Sequence, residues 1–177
     1  MQRTIEVQGM VRACLERTRD VIEHQPEVAF GRRTPDVSRH HLSSVPVPVA
    51  KGASAAQEVE LELGGPIVDA DMVRWPISWR PTTHDRVLPS LRGTLTASRR
   101  ADATTALVLQ GSYRPPLGFV GHFGDGVVGH RLARRSVESY LRGVAERVTT
   151  EAASRTAARF VPVPYPPDLR PRSGGDH

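Results

Sequence analysis

Residues Thr104 to Val148, TTALVLQGSYRPPLGFVGHFGDGVVGHRLARRSVESYLRGVAERV, place a strand, a proline pair, a glycine-rich entry and one long amphipathic helix in succession. Few folds can use that order. From Thr105 to Tyr113 the residues alternate, with Leu107, Leu109, Gly111 and Tyr113 on one face and Val108, Gln110 and Ser112 on the other. Pro115 and Pro116 end the strand because neither can donate to a ladder. From about Val127, the residues Val128, Leu132, Val137, Leu141, Val144, Ala145 and Val148 recur at three- and four-residue spacing. A helix with one apolar stripe must lie on something broad, and alternating strands supply it.

The upstream chain supplies those strands. Arg3 to Gly9 alternates, with Ile5 and Val7 on one face. Val11 to Glu23 then changes to helical period through Val11, Cys14, Leu15, Thr18 and Ile22, and Gln25-Pro26 stops it. Phe30 to Ser44 is polar, with a weak strand near Val37 to Leu42. Val45, Val47 and Val49 alternate with Pro46 and Pro48, a pattern suited to an edge strand or an extended loop, and Lys51 to Ala56 reads as a turn. Val59, Leu61 and Leu63 alternate with Glu58, Glu60 and Glu62 before Gly64-Gly65-Pro66. Val73, Trp75, Ile77 and Trp79 share a face opposite Arg74, Ser78 and Arg80, and Pro76 predicts a bulge or an unpaired position. Leu91, Gly93, Leu95 and Ala97 oppose Arg92, Thr94, Thr96 and Ser98. One apolar and one polar face per strand is the mark of an antiparallel sheet wet on one side. There the glutamates could pair with Arg74 and Arg80 across strands.

The charge pattern argues against a nucleic-acid partner. The net charge is +5, but the arginines are scattered and aromatics are only 5% of the chain, where a nucleic-acid surface would cluster and interleave them. Arg131, Arg134, Arg135 and Arg142 read as the solvated face of the long helix. Cys14, the only cysteine, rules out an internal disulfide and sits on an apolar stripe as an inert thiol. No apolar run approaches the ~18 residues of a membrane span and the N-terminus lacks a signal-peptide core, so a cytoplasmic location without membrane insertion is expected.

Several apparent sites dissolve on inspection. GDGVVG, Gly124 to Gly129, matches G-x-G-x-x-G, but a dinucleotide fingerprint occupies the tight first turn of a βαβ unit. Here two prolines and a long connection precede it, and no parallel strand follows. On a helix His122, Asp125 and His130 would not converge on a metal, and no metal or cofactor is expected. His84-Asp85 reads as a loop pair, and no Ser/His/Asp or Cys/His set stands out. Beyond Thr150 the composition turns small and polar, then proline-rich, which predicts a flexible tail over residues 151–177.

From Ala56 to Val148, the segments VELELGGP (Val59 to Pro66), WPISWRPT (Trp75 to Thr82) and GSYRPPLG (Gly111 to Gly118) resemble the START-like, or SRPBCC, superfamily. The nearest likeness is to its uncharacterised bacterial branch. That resemblance implies an α+β helix-grip fold over residues 1–150: a curved antiparallel sheet around a long C-terminal helix, with a short helix after the first strand. It also implies a cavity for an apolar or amphipathic small molecule such as a lipid, polyketide or quinone. By strand parity the lining would include Trp75, Ile77, Trp79, Leu95, Leu107, Leu109 and Tyr113. Val59, Leu61 and Val73 share that parity, and packing alone would also bury most of the set, the two tryptophans being the stronger lining candidates. Two alternatives stand beside a binder. One is a polyketide cyclase- or dehydratase-like enzyme, with Tyr113, Arg114 and His122 as candidate polar groups; the other is a protein-interaction module with a filled core.

Overall fold

A computed structural model describes residues 3–34, 39–50, 53–82, 88–101, 103–113 and 126–159. Strand β1 (Arg3–Val11) leads through Ala13 and Cys14 into helix α1 (Leu15–His24), and a short helix α2 (Pro26–Phe30) follows. Strands β2 (Arg32–Arg33), β3 (His40–Ala50), β4 (Ala53–Leu63), β5 (Ile67–Val68), β6 (Met72–Pro81), β7 (Leu91–Arg99) and β8 (Thr105–Tyr113) come next, then helix α3 (Gly126–Arg159). The strands form one antiparallel sheet in the order β1-β8-β7-β6-β4-β3-β2, with β5 beside β6. This is an α+β helix-grip architecture, as the resemblance implied.

Strand parity sets the core. In register across the sheet, Val7, Leu109, Leu95 and Trp75 form one inward row, and Tyr113, Leu91, Trp79, Leu61 and His41 form another. Between them lies the row Ile5, Gly111, Gly93, Ile77 and Leu63. Gly93 and Gly111 sit opposite each other where the strands bend. A Cβ built on Gly93 would come within 2.6 Å of the Gly111 Cα, so two side chains cannot be accommodated there.

Helix α3 buries Ala133, Ser136, Val137, Tyr140, Leu141, Val144, Ala145, Val148 and Ala152. Arg131, Arg134, Arg135 and Arg142 are exposed, as a solvated face requires. The helix packs chiefly on β1 and β3, near the two margins of the sheet, and on α1 and α2. The sheet is wrapped around it, and long side chains from the middle strands reach inward to close the interior.

Five local expectations are resolved or revised. Of the two outcomes expected at Pro76, the unpaired position holds and the bulge does not: Pro76 pairs in register with Thr94 but has no partner in β4, and its carbonyl accepts from the Gly64 N–H at 2.7 Å. In an antiparallel strand a residue's N and O point to the same side. The missing donor therefore faces the flank where β4 has already ended, at Leu63 opposite Ile77, and no ladder bond is lost. Val11 and Cys14 are not helical: Val11 closes β1, and α1 begins at Leu15. Ala53 to Ala56 belongs to β4, because the β3–β4 hairpin extends to Ala50 opposite Ala53. Arg80 does reach Glu60 across the strands, at 3.5 Å, but Arg74 pairs with Asp69 at 2.7 Å because β4 stops short of it. Finally, α3 continues past Thr150 to Arg159, since Ala152 extends the buried stripe by another turn. Residues 160–177 lie outside the described residues, as do the tail's prolines.

Candidate functional site

The seven side chains that parity assigned to a lining all face inward from the middle of the sheet. Trp75, Ile77 and Trp79 come from β6, Leu95 from β7, and Leu107, Leu109 and Tyr113 from β8. None is more than 3% exposed. They are brought together because residues two apart on a strand share a face and the register aligns the three strands. Of the other groups weighed from sequence, Arg114, His122, Asp125 and the pair His84-Asp85 lie outside the described residues.

Two polar clusters interrupt this apolar surface. At one end of the interior the Tyr113 hydroxyl lies 2.8 Å from His130 Nδ1 on α3, with the two rings stacked at 6.2 Å and nearly parallel. Burial pushes the Tyr113 phenol above its ordinary pKa, while the nearby Arg3 guanidinium pulls the other way. A phenol and an imidazole in direct hydrogen bond can pass a proton between them, so this pair has the chemistry of a general acid and base.

The second cluster is deeper and tighter. Tyr140, on α3, is buried against Trp79 in an edge-on contact at 5.5 Å, and its hydroxyl is 3.0 Å from Ser43 Oγ on β3. Burial drives its pKa up to about 12, against the smaller opposing effects of Ser43 and Arg147, so it is a neutral hydrogen-bonding phenol. Trp79 Nε1–H donates to the Pro89 carbonyl at 3.1 Å. Trp75 Nε1–H is equally buried and has no acceptor among the described residues. Beside the cluster, His41 Nδ1–H donates to the Gly31 carbonyl at 3.2 Å. Burial lowers the His41 pKa; the Gly31 bond raises it less, Arg33 and His40 lower it further, and Glu27 opposes them.

Ser43, His41, Tyr140 and the role of His130 were missed from sequence, though two signals were available. Ser43 and His41 share the parity of Val45 and Val47, which places them inward. Tyr140 stands three residues after Val137 and four before Val144, on the same helical stripe. That His130 meets Tyr113 carried no local signal, since the pair is joined by tertiary packing.

Among the described residues no group of His, Cys, Asp and Glu is placed to hold a metal ion. None of the described helices is long and apolar enough to cross a membrane.

This geometry, a curved antiparallel sheet holding a long C-terminal helix over an inward aromatic face, is a helix-grip fold. Solved structures agree. The Zhui aromatase/cyclase from Streptomyces sp. R1128 superposes with a TM-score of 0.53 at 16% identity, over 90% of this chain and 99% of that one. The di-domain ARO/CYC StfQ from the steffimycin biosynthetic pathway superposes with a TM-score of 0.52 at 10% identity, over 89% of this chain and 52% of that one. This chain thus spans about half of StfQ. At such identities the likeness establishes the fold. No family model matches the sequence, and no curated protein does.

Proposed function

We propose that the protein binds an apolar or amphipathic small molecule between the middle strands and α3, with Trp75, Ile77, Trp79, Leu95, Leu107, Leu109 and Tyr113 around it. One observation carries this reading: α3 rests near the sheet's margins, so the middle of the sheet faces an interior spanned by large side chains rather than by close backbone packing. Such an interior is the place where this fold can admit a ligand, and sites of this kind are lined mainly by apolar groups with a few placed polar ones. The fold's occurrence in aromatase/cyclases lends support to a small-molecule ligand. The seven side chains are covered, so entry requires them to part. Native mass spectrometry of protein purified from its own cell tests the reading through a retained small molecule. Tryptophan emission tests it again: a panel of fatty acids, sterols, quinones and aromatic polyketides should contain a member that shifts the emission saturably. A silent panel and no retained mass would sink it.

A second reading, a cyclase- or dehydratase-like enzyme using the same interior, is favoured by the Tyr113–His130 pair. It predicts turnover of a bound polyketone that Tyr113→Phe abolishes without loss of binding. A third, an interaction module with a filled core, draws support from the low exposure of the seven side chains. The same ligand panel separates it from the first two.

A further inference from the structure

The two tryptophans of the inward face differ in one respect. Trp79 Nε1–H is satisfied by the Pro89 carbonyl, whereas Trp75 Nε1–H, in a residue only 1% exposed, has no acceptor among the described residues. Among the described residues, four other buried polar atoms also lack partners: Thr18 Oγ1 on α1, Gln25 Oε1 at its end, Thr34 Oγ1 after β2, and Arg74 Nε on the outer face of β6. Among the described residues, only that of Trp75 belongs to the inward face of the sheet. A buried donor without an acceptor destabilises the fold, and a phenylalanine would fill the row without that penalty.

We infer that Trp75 Nε1–H is the anchor for a neutral hydrogen-bond acceptor on the ligand, a ketone or quinone carbonyl on a flat apolar skeleton. The inference rests on the binder reading above and narrows its ligand class. The surroundings decide the charge of the acceptor. Trp75 stands in register with Leu95, Leu109 and Val7, and its neighbours on the inward face of β6 are Val73 and Ile77. None of these can neutralise a carboxylate, and burying an unpaired anion is far more costly than burying a carbonyl that receives a hydrogen bond. A fatty acid is therefore disfavoured at this position and a quinone or aromatic ketone favoured. The match is also geometric, since an indole N–H is a single donor in a fixed plane and a carbonyl accepts along its own plane.

Three probes on one skeleton test this: fluorene, 9-fluorenone and fluorene-9-carboxylate. Titration of the full chain should show fluorenone binding about tenfold more tightly than fluorene, one hydrogen bond's difference, with the carboxylate weakest. Trp75→Phe should cost fluorenone about tenfold more than it costs fluorene, so that the ketone's advantage disappears. A second readout needs no variant at the anchor. The chain has two tryptophans, so its ¹⁵N–¹H spectrum holds two indole signals, which Trp79→Phe assigns. Fluorenone should move the Trp75 indole proton downfield while fluorene does not. If fluorene and fluorenone bind equally, or the Trp75 indole signal ignores the ketone, the inference fails and the binder reading stands. If none of the three binds, and the broader panel is silent too, both fall together.

Discussion

The two ends of α3 are held in different ways. Toward its C-terminus the helix is tied to the β1–α1–α2 segment by a series of polar contacts. Arg147 donates from Nε and Nη2 to the Ala29 carbonyl at 3.2 and 2.8 Å, and the Arg12 N–H donates to Thr149 Oγ1 at 3.1 Å. Arg155 pairs with Asp20 at 2.5 Å, and Arg17 reaches Thr156. Val144, Ala145, Val148 and Ala152 are buried beneath them. Toward its N-terminus, among the described residues, the cross-element hydrogen bonds are those from His130 to Tyr113 and, nearer the middle, from Tyr140 to Ser43. The polar groups nearby, Arg134 with Glu138 and Ser136 with the Leu132 carbonyl, bond within the helix itself. One end is tied to the β1–α1–α2 segment by several polar contacts, and the other carries the Tyr113–His130 pair.

The sharpest way to break that contrast is Leu141→Ala. Leu141 is 1% exposed and lies over Gly9 of β1, so its truncation should cost about 2 to 5 kcal/mol by chemical denaturation. Leu132→Ala, at a half-buried position toward the Tyr113 end, should cost clearly less. Equal losses would mean that the helix is anchored evenly.

Arg147→Ala comes next. It strips two charge-assisted bonds from the Ala29 carbonyl, and a loss of about 1.5 to 3 kcal/mol is expected. A chain ending at Thr150 should be less stable than one ending at Arg159, by about 1 kcal/mol, because it lacks the buried Ala152 and the Arg155–Asp20 pair. Matching midpoints for the two chains would remove the last turns of α3 from the anchored end.

A pH dependence sharpens the comparison further. The folded His41 pKa lies below the ordinary value of 6.5, so the folded chain resists a proton that the unfolded chain accepts. Stability from this residue is complete above about pH 6.5 and declines as the pH falls through the lowered folded value. His41→Gln should flatten that part of the profile, leaving the decline below about pH 4.5 to carboxylates such as Glu60, whose pKa its bond to His40 depresses. An unchanged slope just below pH 6.5 would show that His41 is not the group responsible. The smallest stability effect is expected from Tyr113→Phe, about 1 kcal/mol, since the ring stays and only the hydroxyl's bond to His130 and its interaction with Arg3 are lost. Its consequence should appear in ligand response or turnover instead. A large stability loss would assign the pair to the anchor after all.

How much of this was legible in the chain depends on the range of the signal. Period-two alternation in Val59 to Leu63, Val73 to Trp79 and Leu107 to Tyr113 marks which side chains turn inward, because Cβ direction on a strand is a local property. The stripe through Val137, Leu141, Val144 and Val148 likewise implies a helix lying on a sheet, and all four are buried. Those residues determine the α+β class and the apolar candidates for a lining. Other features depended on where a neighbour begins or ends. Pro76 is accommodated because β4 has already stopped beside it, and Arg74 turns to Asp69 for the same reason. Tyr113 meets His130, Ser43 meets Tyr140, and Trp79 finds the Pro89 carbonyl while Trp75 finds no acceptor among the described residues. Hydrogen-bond partners are set by the path of the whole backbone in space, so no local period could foretell which indole would meet a carbonyl.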